Sequence, residues 1–295
     1  MSDNQKTLNS PIEFTGVGLH TGEDVHMVIE PAKINHGVKF QRIDLENQPI
    51  LPADINLVTD TQRSTTLEKD NVKIVTVEHL MSALYALGVN NVLIKMDSSE
   101  VPILDGSAKY FVEEIQKVGL KVQDAPLKYI DLPDPIHYTD PDSGSEILFV
   151  PTNNFIISVV LDYQNLALGT QYAEIRDLKD YSTEIAPCKT FVFLTELEKL
   201  SKANLIKGGG LENAIVVVDR EDTKPSEIKK LAHLLGKDGS DIQINGNVLN
   251  NCEMQFYNEP ARHKLLDVIG DLALIGMPIK GHIITKKPGH KLNTS

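Results

Sequence analysis

Three residues of types that bind metal ions recur at intervals of four near the end of the sequence: His263, Asp267 and Asp271. In an α-helix this spacing keeps the three side chains within an arc of about 80°. The residues between them are mostly aliphatic, which predicts a helix over 260–275 with a buried apolar face on the opposite side. An imidazole and a carboxylate at positions i and i+4 can bind one metal ion, but an acidic, hydrated helix face has the same pattern.

A second pair with suitable chemistry, Glu78 and His79, opens another predicted helix. Apolar residues recur at helical spacing along it, Thr76 is a suitable N-cap, and Gly88 is expected to end it. The pair points away from the apolar stripe. A carboxylate favoured by the helix dipole and a hydrated surface histidine are the ordinary alternatives. Two helices nevertheless offer groups of the kind that zinc binds.

A further histidine, His290, follows a strand-like run in the turn 287–290, which could direct its imidazole into a cleft; an ordinary loop histidine is the alternative. A catalytic zinc ion has three protein ligands and an open position for water, whose pKa falls toward ~7. The expected ligands are His79, His263 and Asp267.

Hydrolysis of an amide requires a base that activates water and an acid that protonates the departing amine. Glu78 is the predicted base. His290, when protonated, is the predicted acid and oxyanion stabiliser, with Asp271 orienting its imidazole. The HExxH motif is absent, and Val75 occupies the position where its inverted form requires histidine. The pattern therefore predicts a zinc hydrolase outside these metalloprotease families.

The composition is that of a globular protein, with 41% hydrophobic and 24% charged residues among 295. A net charge of −12 provides no overall basic field, which argues against binding to nucleic acid. Cys188 and Cys252 form no CxxC pair, so neither a disulfide framework nor a thiolate zinc cluster is expected. With no secretory signal and no apolar run near the ~20 residues that span a bilayer, a cytoplasmic location is expected.

The order of predicted elements favours an α+β fold in two domains. Short β-rich runs precede the first helix, and a strand at 91–96 and a helix capped by Asp105 follow it. Prolines and aspartates over 121–144 indicate a boundary, which we place between domains 1–125 and 126–295.

The second domain contains predicted strands at 155–161 and 214–218 and the helix that carries His263. This irregular order argues against a doubly wound parallel sheet.

These residues and their flanks resemble the UDP-3-O-acyl-N-acetylglucosamine deacetylase family over nearly the whole chain. The matching segments are 15–20, 76–80, 100–108, 189–191, 208–209, 213–217, 262–271 and 289–290. The resemblance implies one zinc ion per chain and the same ligand, base and acid assignments as those made above. It further implies two α+β domains whose helices pack between two sheets, a site at their junction and a hydrophobic passage for the substrate acyl chain.

The resemblance also implies substrate contacts. Lys264 and Arg262 would approach the UDP portion, although a hydrated helix flank is the alternative for both. Thr190 would contact the substrate carbonyl or its oxyanion, and Phe191 the sugar or the acyl chain.

Asp162 and Tyr163 would contact the nucleotide, but their segment differs from the commoner Asp-Phe-Asn-His, and Lys189 stands where the family usually has arginine. The segment 218–251 is longer and more polar than expected, which suggests an inserted surface excursion. Some family members continue into a 3-hydroxyacyl carrier-protein dehydratase, so a cut at Ser295 could have separated such a partner.

The implied reaction is removal of the N-acetyl group from UDP-3-O-(3-hydroxyacyl)-N-acetylglucosamine, with release of acetate, as the committed step of lipid A biosynthesis. A monomer that does not span the membrane is expected. Two alternatives are a zinc amidohydrolase acting on another acylated amino sugar and a non-catalytic nucleotide-sugar binding protein. The glycines at 208–210 lack the GxxxxGK[ST] arrangement of a phosphate-binding loop and are expected to form a turn.

Overall fold

The structure, a computed structural model, describes residues 4–202, 207–209, 212–220, 223–224, 226–229, 242–249 and 253–295. Its helices are α1 (Glu78–Ala86), α2 (Lys109–Val118), α3 (Tyr181–Glu184), α4 (Leu194–Lys202), α5 (Glu259–Ala273) and α6 (His290–Asn293). Short 3-10 turns lie at Ile55–Leu57 and Leu178–Asp180. None of the helices in these ranges is long and apolar enough to cross a bilayer.

The strands fall into two groups along the chain. The first group is β1 (Asn4–Leu8), β2 (Ile12–Val17), β3 (Asp24–Pro31), β4 (Val38–Arg42), β5 (Ile50–Pro52), β6 (Val58–Asp60), β7 (Thr66–Lys69), β8 (Val72–Ile74), β9 (Val92–Met96) and β10 (Leu120–Pro126). The second group is β11 (Ile130–Asp131), β12 (Ile136–Thr139), β13 (Glu146–Val150), β14 (Phe155–Asp162), β15 (Thr170–Ile175), β16 (Phe191–Phe193), β17 (Ile215–Val217), β18 (Ile244–Asn245), β19 (Val248–Leu249) and β20 (Ile279–Lys286). Across the described residues no sheet mixes the two groups, and on that basis we retain two domains, 1–125 and 126–295, as a proposal, with Pro126 at the end of β10 belonging by its pairing to the first.

The architecture is α+β, as predicted, and its two larger sheets are built alike. The first has the order β2-β3-β9-β4-β5, and β4 and β9 are parallel. The second has the order β12-β13-β20-β14-β15, and β14 and β20 are parallel. Strand β3 alternates buried and less buried residues, as does β20, which is the pattern of a sheet that packs one face on the core.

Helices α1 and α5 pack against each other between these sheets. Side chains of both helices and of both larger sheets belong to one continuous apolar core. The predicted helix over 260–275 corresponds to α5, and its predicted apolar face is buried. Every residue of α5 except Arg262 and Lys264 is buried, because sheet residues cover one side and α1 covers another.

The predicted strands at 91–96, 155–161 and 214–218 correspond to β9, β14 and β17. Strand β17 belongs to a smaller sheet with the order β16-β17-β19-β18. Half of the predicted insertion at 218–251, and Cys252, lie outside the described residues.

Two predicted helix caps are wrong because the side chains bind elsewhere. Thr76 has a φ of 60° before α1, and its hydroxyl donates to Glu100 Oε1 at 2.8 Å instead of capping the helix. Asp105 Oδ1 accepts hydrogen bonds from the amide and hydroxyl of Ser107, and α2 begins only at Lys109. The predicted end of α1 is confirmed, since Gly88 follows it with a φ of 72°.

The approach of the two central helices depends on Gly270. A methyl group added at this position would lie 2.0 Å from the carbonyl oxygen of Glu78, far inside van der Waals contact. Glycine thus allows α5 to touch the backbone at the start of α1.

We expect Gly270→Ala to destabilise the protein by about 1–3 kcal/mol, since the new methyl group must separate the helices. The matched control is Gly289→Ala, where φ is −161° and an added methyl group meets no atom within 4 Å. Urea unfolding followed by circular dichroism measures both. Equal free energies of unfolding for the two variants would contradict the close-packing argument.

Candidate active site

His79, His263 and Asp267 converge where the start of α1 meets α5. Their ligand atoms all lie within 4.8 Å of one another, and all three residues are buried. The Nε2 atom of His79 is 3.7 Å from Asp267 Oδ1, and the Nε2 atom of His263 is 3.4 Å from the same oxygen. The structure therefore brings together the three residues predicted to bind the metal.

The environment of this cluster fits a cation. Asp267 Oδ1 is buried without a hydrogen-bond partner in the described ranges, a costly state for a carboxylate unless it binds an ion. Nδ1 of His263 is 3.0 Å from the carbonyl oxygen of Cys188. A carbonyl only accepts, so we assign the proton to Nδ1, which leaves the Nε2 lone pair free for a metal. Two imidazoles and one carboxylate form a donor set typical of catalytic zinc.

The protonation states also suit metal binding, because ligands must be deprotonated. Burial, together with the neighbouring His263, lowers the pKa of His79 to about 3. Burial likewise lowers the pKa of His263. Burial alone would raise the pKa of Asp267, but the Lys264 ammonium and the surrounding imidazoles together hold that pKa below its ordinary value. Both imidazoles are therefore neutral beside an ionised carboxylate, and their contacts with it are not ion pairs.

Glu78 lies beside the cluster at the first position of α1. Its Oε2 accepts a hydrogen bond from the backbone amide of Thr65 at 3.0 Å. Burial raises the pKa of Glu78 to about 7; the nearby His290 opposes the rise, and the carboxylates of Asp267 and Asp271 add to it. A carboxyl group with a pKa near neutrality is suited to accept and then release a proton.

His290 and Asp271 form a buried pair on the other side of Glu78. Nδ1 of His290 lies 2.9 Å from Asp271 Oδ2. Burial alone would lower the pKa of His290, but the charge and hydrogen bond of Asp271 raise it to about 9. The imidazole is therefore a cation at neutral pH, as a general acid requires.

Sequence reasoning missed two residues that bind Asp271. The Thr65 hydroxyl donates to Asp271 Oδ1 at 2.6 Å, and the Asn293 side-chain amide donates to Asp271 Oδ2 at 2.8 Å. Asn293 lies three positions after His290, so helical spacing could have placed both on one face of a short helix. Thr65 lies in a loop before β7, and no local pattern identifies it.

A cavity of about 660 Å³ adjoins the site. It is lined by four of the residues predicted to contact substrate, namely Thr190, Phe191, Tyr163 and Lys264. Lys264 connects the cavity to the cluster, because its Nζ donates to Asp267 Oδ2 at 2.7 Å and lies 5.7 Å from the centroid of the Phe191 ring. The rings of Tyr163, Phe191 and Phe193 lie with centroids 6.0 to 6.2 Å apart and give the cavity an aromatic wall.

The segment that carries Thr190 is fixed by buried Glu259 at the start of α5. Glu259 Oε1 accepts a hydrogen bond from the backbone amide of Lys189 at 2.9 Å, and Thr190 donates its own amide to the Gly106 carbonyl at 2.8 Å. The same segment supplies the Cys188 carbonyl that binds His263. The segment 188–190 therefore positions both a predicted metal ligand and a cavity residue.

The structure does not bring Arg262 or Asp162 to this cavity. Arg262 Nη1 donates to the carbonyl and to the carboxylate of Glu184, and its guanidinium lies 4.0 Å from the centroid of the Phe256 ring. Two positions along a helix rotate a side chain by about 200°, so Arg262 faces away from Lys264. Asp162 Oδ1 accepts a hydrogen bond from the Gln164 amide in the turn after β14.

We expect the purified chain to bind one zinc ion and His79→Ala to lose that stoichiometric binding, because a buried donor is removed. His137→Ala is the control, since His137 is exposed on β12. Elemental analysis after dialysis measures the zinc content. Zinc retained by His79→Ala, or lost equally by the control, would refute the ligand assignment.

In the metal-free protein, we expect His290 to stay protonated through neutral pH and to lose its proton near pH 9, because Asp271 stabilises the cation. In Asp271→Asn that stabilisation disappears while burial remains, so the pKa should fall. Imidazole ¹H–¹⁵N NMR titration of both proteins measures this. A neutral His290 at pH 7 in the unsubstituted chain would contradict the assignment.

The sequence is similar to proteins of one known family over nearly its whole length. A family profile described as LpxC, UDP-3-O-acyl N-acetylglycosamine deacetylase, matches residues 5–231 and 238–295. A protein of Bacteroides thetaiotaomicron named bifunctional enzyme LpxC/FabZ is 47% identical over 289 residues, which cover 98% of this chain and 62% of the relative. The chain thus spans about 62% of the length of the bifunctional relatives that it matches.

Proteins named UDP-3-O-acyl-N-acetylglucosamine deacetylase are also similar over most of their length. The protein of Myxococcus xanthus is 37% identical over 294 residues, 99% of this chain and 84% of the relative. That of Thermosynechococcus vestitus is 36% identical over 290 residues, 98% of this chain and 91% of the relative. This chain belongs to the LpxC family of UDP-3-O-acyl N-acetylglycosamine deacetylases.

Proposed function

We propose that this chain is a zinc-dependent amidohydrolase that removes the N-acetyl group from UDP-3-O-(3-hydroxyacyl)-N-acetylglucosamine and releases acetate. The observation that carries the proposal is the convergence of three metal-binding atoms within 4.8 Å, beside a buried carboxyl group and a buried imidazolium. The names of the relatives support the choice of substrate. In a bacterial cell this reaction would be the committed step of lipid A biosynthesis.

His79, His263 and Asp267 are the residues that would hold one zinc ion per chain. A zinc ion at this position supplies Lewis acidity, lowering the pKa of water and polarising a carbonyl group. The remaining chemistry belongs to protein side chains, because an amide needs proton transfers that a metal alone does not provide.

Glu78 is the proposed general base. Its Oε2 is bound by the Thr65 amide, which leaves Oε1 as the oxygen proposed to take a proton from attacking water. Its pKa of about 7 lets it act as an acceptor at physiological pH. Burial that raises this pKa also strengthens the carboxylate as a base.

His290 is the proposed general acid. As a cation at neutral pH it stabilises negative charge that develops on the carbonyl oxygen, and its Nε2 can give a proton to the departing amine. Asp271 binds Nδ1 and therefore leaves Nε2 as the nitrogen directed at substrate. The pKa values of the base and the acid are set by different surroundings, burial for Glu78 and the Asp271 carboxylate for His290.

The neighbouring cavity is the proposed substrate site. Thr190 would donate its hydroxyl to the substrate carbonyl or its oxyanion, and Phe191 with Tyr163 would contact the apolar and ring portions of the ligand. Lys264 offers a cation to the diphosphate. The two remaining predicted contacts, Arg262 and Asp162, would require the ligand to extend beyond the cavity.

The proposal includes a monomer in the cytoplasm that acts on a small molecule. The relatives named bifunctional LpxC/FabZ, which are 42–47% identical to this chain, support the further proposal that it works beside a 3-hydroxyacyl carrier-protein dehydratase. Neither a monomeric state in the cytoplasm nor a neighbouring dehydratase changes the proposed chemistry of the site.

The test is release of acetate from UDP-3-O-(3-hydroxyacyl)-N-acetylglucosamine by the zinc-loaded chain. We expect Glu78→Gln to lower kcat by roughly 10²- to 10⁴-fold, because the base is removed without loss of a zinc ligand. Glu113→Gln on the exposed side of α2 is the matched control and should match the unsubstituted chain.

A folded, zinc-loaded chain without turnover on this substrate would refute the proposed function. Activity on an acylated amino sugar that lacks UDP, at the same rate, would retain the amidohydrolase chemistry but refute the substrate assignment. Full activity of Glu78→Gln would remove Glu78 from the mechanism.

A further inference from the structure

Thr65 is a loop residue that binds both Glu78, the proposed base, and Asp271, the carboxylate paired with His290. It is fully buried just before β7 and is separated from Asp271 by 206 positions in the sequence. The loop reaches the interface between α1 and α5 from the first group of strands. Its location therefore follows from tertiary packing alone.

All three polar groups of Thr65 have a partner in the site or beside it. The amide donates to Glu78 Oε2 at 3.0 Å, and the carbonyl accepts from the amide of Val77, the residue before α1, at 3.3 Å. The hydroxyl donates to Asp271 Oδ1 at 2.6 Å. The backbone of Thr65 thus holds the start of α1, whereas its side chain reaches α5.

The hydroxyl completes the hydrogen bonding of Asp271. His290 and Asn293, both on α6, bind Oδ2 of the Asp271 carboxylate. The Thr65 hydroxyl binds the other oxygen, Oδ1. A hydrogen bond on Oδ1 fixes the rotation of the carboxylate about its terminal bond, and with it the direction in which Oδ2 meets the imidazole. Groups that bind a catalytic side chain from behind orient it in this way.

We infer that Thr65 is a positioning residue for proton transfer, which orients Glu78 through its amide and His290 through the Asp271 carboxylate. This inference rests on the proposed function, because it assigns these two groups the roles of base and acid. It does not place Thr65 in contact with substrate or metal. Its effect should therefore fall on the chemical step and spare substrate binding.

The test compares Thr65→Val with Thr65→Ser. Valine keeps the shape and the backbone hydrogen bonds but removes the hydroxyl, whereas serine keeps the hydroxyl and removes a methyl group. We expect Thr65→Val to lower kcat roughly 10- to 100-fold with KM and zinc content unchanged. Thr65→Ser should retain most of the activity.

Thr285→Val is the matched control for replacing a buried threonine. Thr285 on β20 is fully buried, and its hydroxyl makes no hydrogen bond in the described part of the chain. The same change in volume and polarity there should leave kcat and KM unchanged. If Thr65→Val does not fold, Thr65→Ala replaces it in the comparison with Thr65→Ser.

A second measurement does not depend on turnover. The imidazole ¹H–¹⁵N resonances of His290 should shift in Thr65→Val and Thr65→Ala, because the carboxylate they report on is free to rotate, and should stay in place in Thr65→Ser and Thr285→Val. This spectrum decides the inference even if the unsubstituted chain does not deacetylate the substrate, a result that would refute the proposed function separately.

Wild-type kcat in Thr65→Val would overturn the inference. So would equal losses in Thr65→Val and Thr65→Ser, since the shape of the side chain rather than its hydroxyl would then matter. A loss of zinc or a rise in KM at constant kcat would assign Thr65 a structural role instead.

Discussion

The contact between Gly270 on α5 and the carbonyl oxygen of Glu78 at the start of α1 determines how close the two central helices can come. His79 follows Glu78 directly, and Asp267 lies one turn before Asp271 on the facing helix. A wider separation of the helices would pull the imidazole of His79 away from the carboxylate of Asp267. The geometry of the whole site therefore depends on one position where a side chain is absent.

Packing the helices between two sheets buries the polar groups that they carry, and this burial has a chemical consequence. Burial makes the carboxyl group of Glu78 harder to ionise despite the nearby His290, whereas the buried carboxylate of Asp271 makes His290 easier to protonate. The two histidines of the metal cluster are instead kept neutral. The interface thus contains Glu78, His290 and the two predicted histidine ligands in protonation states that suit the proposed hydrolysis.

The site is supported by residues that have no proposed role in metal binding or proton transfer. The carbonyl of Cys188 sets the tautomer of His263, Glu259 holds the neighbouring backbone, and Thr65 and Asn293 bind Asp271. Each is an ordinary residue in a loop or at a helix end. Their shared property is that they are buried, so their polar groups bind the side chains of the site or the backbone beside it.

Local sequence determined the elements and the candidate chemical groups. Apolar periodicity predicted α1, α5 and β14, and a spacing of four placed His263, Asp267 and Asp271 on one face. These features follow from backbone geometry, which neighbouring residues define. Tertiary structure alone decided which distant groups meet these elements. Thr76 binds Glu100 instead of capping α1, Arg262 turns to Glu184, and Thr65 reaches Asp271. No local sequence pattern predicts the hydrogen bond between Thr65 and Asp271, which are 206 positions apart. It forms only because packing brings the loop before β7 against α5.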